Sequence, residues 1–231
     1  MKKIELYADG LKINEFDENF GLDIDGYTFN PSIFKNHGAS NYLDYGKELI
    51  KKSKGKPISL EVFADNDNEM IEQAKILNNL GKNVYVKIPI TFTNGDYTLK
   101  VLDYLVQNKI KINLTAIFTI HQIERVITSL KDTNTILSVF AGRIYDSGQD
   151  AFKIMCEITK LVKNKSKCKT LWASPRMSYD YISAIHSGAD IITMQGSQIK
   201  KLKLFGKDLN EFSLETVKQF HNDAKSSGFK I

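Results

Sequence analysis

Short apolar, β-branched runs recur along the chain and set its frame. They fall at Ile4-Glu5-Leu6-Tyr7, Leu22-Asp23-Ile24-Asp25, Ile58-Ser59-Leu60-Glu61-Val62, Val84-Tyr85-Val86-Lys87-Ile88, Ile110 to Thr115, Thr135 to Phe140, Thr170-Leu171-Trp172 and Asp190 to Met194. Each is too short for a helix and is bounded by polar or turn residues, so each predicts a strand. Between most of them the period changes. Ala151, Ile154, Met155, Ile158, Leu161 and Val162 share one face at helical spacing. Asn66 to Leu80 and Met177 to Ser187 read as helices that stop at Gly81 and Gly188, each in position to cap a helix just before the next strand. The connection between the first two runs carries no helical period.

Strands alternating with helices over this length predict an α/β fold, a single (β/α)8 TIM barrel; a doubly wound sheet would use fewer strands. No proline- or glycine-rich linker, internal repeat or low-complexity segment divides the chain. The expected organisation is a barrel over residues 1–212 and a C-terminal helical extension over 213–231. Leu214, Val217 and Phe220 share a face of that extension and suit contact with a second copy.

Composition narrows the class. The 231 residues are 42% hydrophobic and 26% charged, as expected of a folded globular chain. The net charge of +5 comes from scattered lysines and not from a basic block with interleaved aromatics, so no nucleic-acid partner is indicated. The start turns polar before any signal-peptide core forms, and no apolar run approaches the roughly 20 residues of a membrane span. A cytoplasmic protein without a membrane partner is expected. Cys156 and Cys168 lack a CxxC spacing and read as reduced thiols. His37, His121, His186 and His221 show no metal-ligand spacing, and no glycine-rich nucleotide loop occurs, so neither metal nor cofactor is expected.

In such barrels the chemistry gathers at the C-terminal ends of the strands. Polar residues collect there: Asp9, Thr28 with Asn30, Glu61, Lys87, Asn113 with Thr115, Ser138, Arg143, and Ser174 with Arg176. Alternation puts Tyr85 with Lys87, Asn113 with Thr115, and Ser138 with Phe140 on common faces. An amine held in a barrel mouth loses hydration, which favours its neutral form and its attack on a carbonyl; that suggests a Schiff base. The acids and the hydroxyl and amide groups supply proton carriers and sugar-hydroxyl partners. Arg143 and Arg176 add an anion site, and Ser174 beside Arg176 and Gly196-Ser197 stand where barrels commonly bind phosphate. Several of these residues also have a plainer reading. Lys87 can snorkel to water, Asn30 before Pro31 can cap a helix, Asp9 can serve a turn, Glu61 can be a solvated strand end, and Arg143 can pair with Asp146 or Asp150.

Seven segments in order carry a family resemblance: LYAD (6–9), DGYTFNPS (25–32), SLEVFAD (59–65), VKIPIT (86–91), NLTAIF (113–118), SVFAGRIYDSGQD (138–150) and ASPR (173–176). The chain resembles the transaldolase family over residues 4–196, in its small branch that contains the fructose-6-phosphate aldolases. The resemblance implies a class I aldol mechanism in which Lys87 forms the imine with a ketose phosphate, Asp9 is the base on the C4 hydroxyl, and Glu61 and Thr115 shuttle protons through a water. Asn30, Asn113 and Ser138 match hydroxyl-orienting positions, Thr28 and Phe140 join them in the substrate site, and Arg143, Ser174 and Arg176 match the phosphate site. Glu61 and Phe140 look like transaldolase, where the aldolases resemble one another in having glutamine and tyrosine. The implied activity is transfer of a dihydroxyacetone unit from sedoheptulose 7-phosphate or fructose 6-phosphate to glyceraldehyde 3-phosphate or erythrose 4-phosphate. The alternatives are an aldolase that releases free dihydroxyacetone, and a non-catalytic barrel that binds sugar phosphates. Phe29 departs from the family's second threonine before Asn-Pro and predicts an altered cleft near Asn30. Small members of the family also imply a homo-oligomer.

Overall fold

Parallel pairing runs unbroken around the molecule. In the computed structural model, which describes residues 3–230, β1 (Glu5–Asp9), β2 (Gly26–Thr28), β3 (Ile58–Glu61), β4 (Val84–Pro89), β5 (Ile112–Ile117), β6 (Ile136–Val139), β7 (Lys169–Trp172) and β8 (Ile191–Gln195) pair in sequence order, and β8 closes on β1. The result is a TIM barrel, as the alternation of runs predicts.

Helices wrap the outside. Two, α1 (Pro31–Asn36) and α2 (Tyr42–Lys52), follow β2; α3 (Asp67–Asn78), α4 (Leu99–Gln107) and α5 (Ile120–Leu130) follow the next three strands. A short α6 (Ala141–Asp146) and a long α7 (Ala151–Lys165) lie between β6 and β7, α8 (Asp180–Ser187) precedes β8, and α9 (Gly196–Lys201) and α10 (Leu209–Ser227) end the chain. Asparagine starts several of them, since its side-chain oxygen takes an N–H of the first turn: Asn30 for α1, Asn41 for α2 and Asn66 for α3. Only a 3-10 turn, Ile13–Glu15, interrupts the loop from β1 to β2 among the described residues.

Three expectations change. The second strand lies at Gly26–Thr28 and not at Leu22–Asp25. Leu22 is 46% exposed, and the Asp25 carboxylate accepts the Leu6 N–H at 2.9 Å, so this segment leads into the barrel without joining it. Glycine opens the true strand because the Tyr7 ring lies against it: a Cβ on Gly26 would stand 2.6 Å from a ring carbon. Gly81 does not cap α3, which closes through Asn79 in right-handed conformation; Gly188, at φ 79°, does cap α8. Finally, α8 starts at Asp180 and not at Met177, because the Asp180 carboxylate accepts the N–H groups of Arg176 (2.6 Å) and Met177 (3.0 Å) and holds them in a turn.

Two apolar layers form the core. Val86, Ile88, Leu114, Leu137 and Val139 point outward against helix residues such as Leu102, Leu105, Ile123, Val126, Met155 and Ile158. Inside the barrel, Tyr7, Ile136, Leu171, Ala173 and Ile191 pack together, flanked by Tyr85 and Phe140. At the lower end Lys169 pairs with Glu5 at 2.5 Å, and the Tyr7 hydroxyl donates to the same glutamate at 3.4 Å. Burial and that carboxylate hold the Tyr7 phenol far above its ordinary range, so it stays neutral. By contrast, α10 buries none of its residues; it starts at Leu209, capped by the Asp208 carboxylate. No described helix is long and apolar enough to cross a membrane.

Candidate active site

Strand register sets the central pair. Glu61 on β3 is opposite Lys87 on β4, and both side chains turn inward. The Lys87 amine, on a residue only 6% exposed, is 3.1 Å from the Glu61 carboxylate and donates to the Phe29 carbonyl at 3.2 Å. A buried amine is thus placed against a proton carrier.

Across the mouth, Asp9 is opposite Thr28 in the β1–β2 register. The Thr28 hydroxyl donates to Asp9 at 2.6 Å and lies 2.6 Å from the Thr193 hydroxyl, which must then donate to Thr28, because a hydroxyl has one proton to give. Burial raises the Asp9 carboxyl above its ordinary range; the Thr28 hydrogen bond and the Lys87 charge offset this in part. Its affinity for a proton is therefore enhanced.

Between these groups lies a cavity of about 220 Å³, lined by Asp9, Thr28, Asn30, Lys87, Thr115, Ser138, Phe140, Arg143 and Ser174 of the expected residues. Ser32, Asn36, Thr193 and Gln195 complete its polar wall. Thr115 is buried, yet its hydroxyl has no hydrogen-bond partner. It precedes Ala116, held at φ 60° where the β5–β6 register slips between Leu114 and Ile117, a sterically costly conformation for a residue with a Cβ. Asn113 does not reach the cavity wall. It is fully buried beneath, where its amide donates to Ser59 at 2.9 Å and its oxygen accepts from Ser138 at 2.7 Å. It holds Ser138, and Ser138 faces the cavity.

The anion end is built from α6 and the loop after β7. Arg143 lies over the Phe140 ring, 5.1 Å from its centre, and Ser174 adopts φ 59°. Arg176 donates to the Ser174 hydroxyl at 3.2 Å, but its other nitrogens grip Asp146, one at 2.9 Å. Asp146 thus pairs directly with Arg176, and its carboxyl is held below the usual range chiefly by that guanidinium, with a smaller contribution from the Arg143 charge. Gly196 and Ser197 are placed elsewhere, in a neighbouring cleft of about 410 Å³ with Lys12 and Lys200, and do not line the Lys87 cavity. Asn30 fulfils its plainer reading by accepting the Ile33 N–H at 2.9 Å, and it lines the cavity as well.

Phe29 does not alter the cleft through its side chain. It points outward, fully buried, with its ring 5.9 Å from that of Phe34. What it presents to the site is its carbonyl oxygen, to Lys87. The residues that pattern reading missed, Thr193 above all, follow the same alternation as Ile191 and were within its reach. Among the described residues no group of three or more histidine, cysteine, aspartate or glutamate side chains is placed to hold a metal ion.

A family model described as Transaldolase/Fructose-6-phosphate aldolase matches residues 6–231. The chain is 34% identical to a probable transaldolase of Thermoplasma volcanium over 203 residues, covering 86% of this chain and 87% of the relative. It is 30% identical to a probable transaldolase of Bartonella henselae over 230 residues, 99% of this chain and all of the relative. Among solved structures, thiamine phosphate pyrophosphorylase from Pyrococcus furiosus is similar with a TM-score of 0.58 at 10% identity, covering 87% of this chain and 95% of that one. That likeness concerns the barrel alone.

Proposed function

The chain belongs to the transaldolase and fructose-6-phosphate aldolase family, and on that premise we propose that it is a transaldolase moving a dihydroxyacetone unit between sugar phosphates. The observation that carries the reading is the buried Lys87 amine, 3.1 Å from one carboxylate and sharing a cavity with a second, Asp9, whose proton affinity is raised.

Lys87 attacks the C2 carbonyl of fructose 6-phosphate or sedoheptulose 7-phosphate, and the carbinolamine loses water to give the iminium. Glu61 moves the protons of that step, through a water held by the otherwise unpartnered Thr115 hydroxyl. Asp9 takes the proton of the C4 hydroxyl. The C3–C4 bond then breaks, its electron pair flows into the iminium to form an enamine, and an aldose phosphate leaves. The enamine adds to the aldehyde of glyceraldehyde 3-phosphate or erythrose 4-phosphate, Asp9 returns its proton, and hydrolysis frees Lys87. Asn30 and Ser138 orient hydroxyls, with Asn113 acting through Ser138. Arg143, Ser174 and Arg176 receive the phosphate.

The test is borohydride reduction in the presence of fructose 6-phosphate. A mass increment is expected on Lys87 and none on Lys87→Ala; trapping at another residue, or full activity in Lys87→Ala, refutes the assignment. The competing aldolase reading is favoured less because Phe140 offers no phenol to protonate the enamine and release free ketone. Rapid release of dihydroxyacetone without an acceptor would reverse that order.

Residues 1–212 act in this reading as the catalytic barrel, in the cytoplasm, and 213–231 as an extension that packs on a second copy. Leu214, Val217 and Phe220, all more than half exposed, support a homo-oligomer. A chain ended after Asp208 should sediment as a smaller species; an unchanged species refutes the extension's role.

A further inference from the structure

Each inner residue of β3 turns both of its backbone groups toward β2, and each outer residue turns them toward β4. The β2 side is served lower down: Tyr27 donates to Pro57 at 2.8 Å and Phe29 to Ser59 at 3.0 Å. On the β4 side Val62 donates to the Lys87 carbonyl at 3.1 Å. Glu61 is the exception. The second strand ends at Thr28 and the chain leaves at Asn30 into α1, so no strand reaches the N–H and carbonyl of Glu61.

The Tyr42 phenol stands in for it. From the first turn of α2, its oxygen accepts the Glu61 N–H at 3.1 Å while its hydroxyl donates to the Glu61 carbonyl at 2.7 Å. One hydroxyl thus supplies the donor and the acceptor of a missing strand residue. Its ring is stacked against Phe34 with centres 4.3 Å apart and meets the edge of Phe63 at 5.4 Å. Just beyond, the Gln73 side-chain oxygen accepts the N–H groups of Phe63 (2.8 Å) and Ala64 (3.0 Å), which pins the turn after the strand. Burial raises the Tyr42 phenol well above its ordinary range, so it keeps the proton it donates. Tyr42 is absent from the lining of the Lys87 cavity.

We propose that Tyr42 is a positioning residue: by clamping the Glu61 main chain from outside the barrel, it holds the Glu61 carboxylate against the Lys87 amine during imine formation and hydrolysis. The inference rests on the proton-carrier reading of Glu61 given above. Tyr42→Phe keeps the ring and its contacts and removes only the hydroxyl. Because a misplaced proton carrier loses part of its rate contribution, kcat is expected to fall about tenfold. KM for fructose 6-phosphate should change less than about twofold, since the phosphate end is untouched. The acid limb of the kcat profile should shift, borohydride trapping on Lys87 should slow, and the Glu61 amide should exchange with solvent about tenfold faster.

Tyr45→Phe is the control, because its hydroxyl bonds His37 at 2.9 Å and not Glu61; it should leave all these readouts unchanged. A merely structural role would lower the melting temperature of Tyr42→Phe while leaving kcat and its pH profile in place, and that result overturns the proposal. So does unchanged Glu61 amide exchange. Failure of the wild-type protein to trap any ketose on Lys87 would instead overturn the functional reading, while the exchange measurement still decides whether the phenol holds the strand end.

Discussion

Replacing Gly142 with alanine drives a methyl group into the main chain of Ser174. A Cβ on Gly142 would stand 1.6 Å from the Ser174 carbonyl oxygen and 2.8 Å from its carbonyl carbon. Ordinary contact begins near 3.4 Å, so one of the two segments must retreat by about 1.8 Å. The α6 side is anchored by the buried Ala141 and Ile144, whereas Ser174 sits in a loop at φ 59° and is the part that yields. That loop carries the Ser174 hydroxyl and, 3.2 Å from it, the Arg176 guanidinium. A displacement near 1 Å in a binding group commonly costs about 100-fold, or about 2.7 kcal/mol. The expected result for Gly142→Ala is therefore a drop of about 100-fold in kcat/KM for fructose 6-phosphate, carried mainly by KM. Trapping of dihydroxyacetone, which has no phosphate, should continue on Lys87 at close to the wild-type rate. The strain should also remove about 1–3 kcal/mol of stability, lowering the melting temperature by roughly 2–12 °C in a chain of this size. An unchanged KM for the phosphorylated donor would refute the argument, because it would mean that the Ser174 loop does not hold the anion.

Asp9→Asn should abolish turnover, and it should also change the pH dependence of stability. With its carboxyl raised in the folded state, Asp9 binds more protons there than in the unfolded chain, so wild-type stability falls as pH rises from the ordinary aspartate range through the raised value. Calorimetry over that window should find this decline missing in Asp9→Asn; equal slopes would refute the assignment. Asp146→Asn releases the charge that occupies Arg176, and inorganic phosphate should bind about twofold to fivefold more tightly, the range expected of an exposed ion pair; weaker binding would make Asp146 an orienting group and not a competitor. Phe140→Tyr should raise acceptor-free release of dihydroxyacetone relative to transfer, measured with fructose 6-phosphate alone; an unchanged ratio would remove Phe140 from the branch between the two activities.

The outward face of the barrel was legible because it obeys simple periods. Val86, Ile88, Leu114 and Leu137 alternate with inward residues, and helices such as α4, α5 and α7 bury one face each. The second strand was not, because the first of its two inner positions is glycine and the second is Thr28. Gly26 makes room for the Tyr7 ring on the neighbouring strand, and a rule that seeks branched apolar residues passes over such a position. At the site, alternation and strand ends were enough to gather Asp9, Thr28, Lys87, Thr115 and Ser138 around one cavity. They did not reveal that Asn113 lies below it, that Phe29 offers only its carbonyl, or that Asp146 holds Arg176. Nor did they find Tyr42, since its role depends on which backbone groups a short neighbouring strand leaves unpaired, and no side-chain period records that.

The lower half of the barrel gives the proposed chemistry a traffic rule. Among the described residues Tyr7, Ile136, Leu171 and Ile191 fill the lumen, and the Glu5–Lys169 pair lies beneath them, so Lys87 stands above a filled floor. In the proposed reaction the departing aldose phosphate would then leave through the mouth that the next aldehyde enters. Initial rates measured at several acceptor concentrations should then give parallel double-reciprocal lines. Excess aldehyde should slow the enzyme by queuing in the mouth ahead of the ketose.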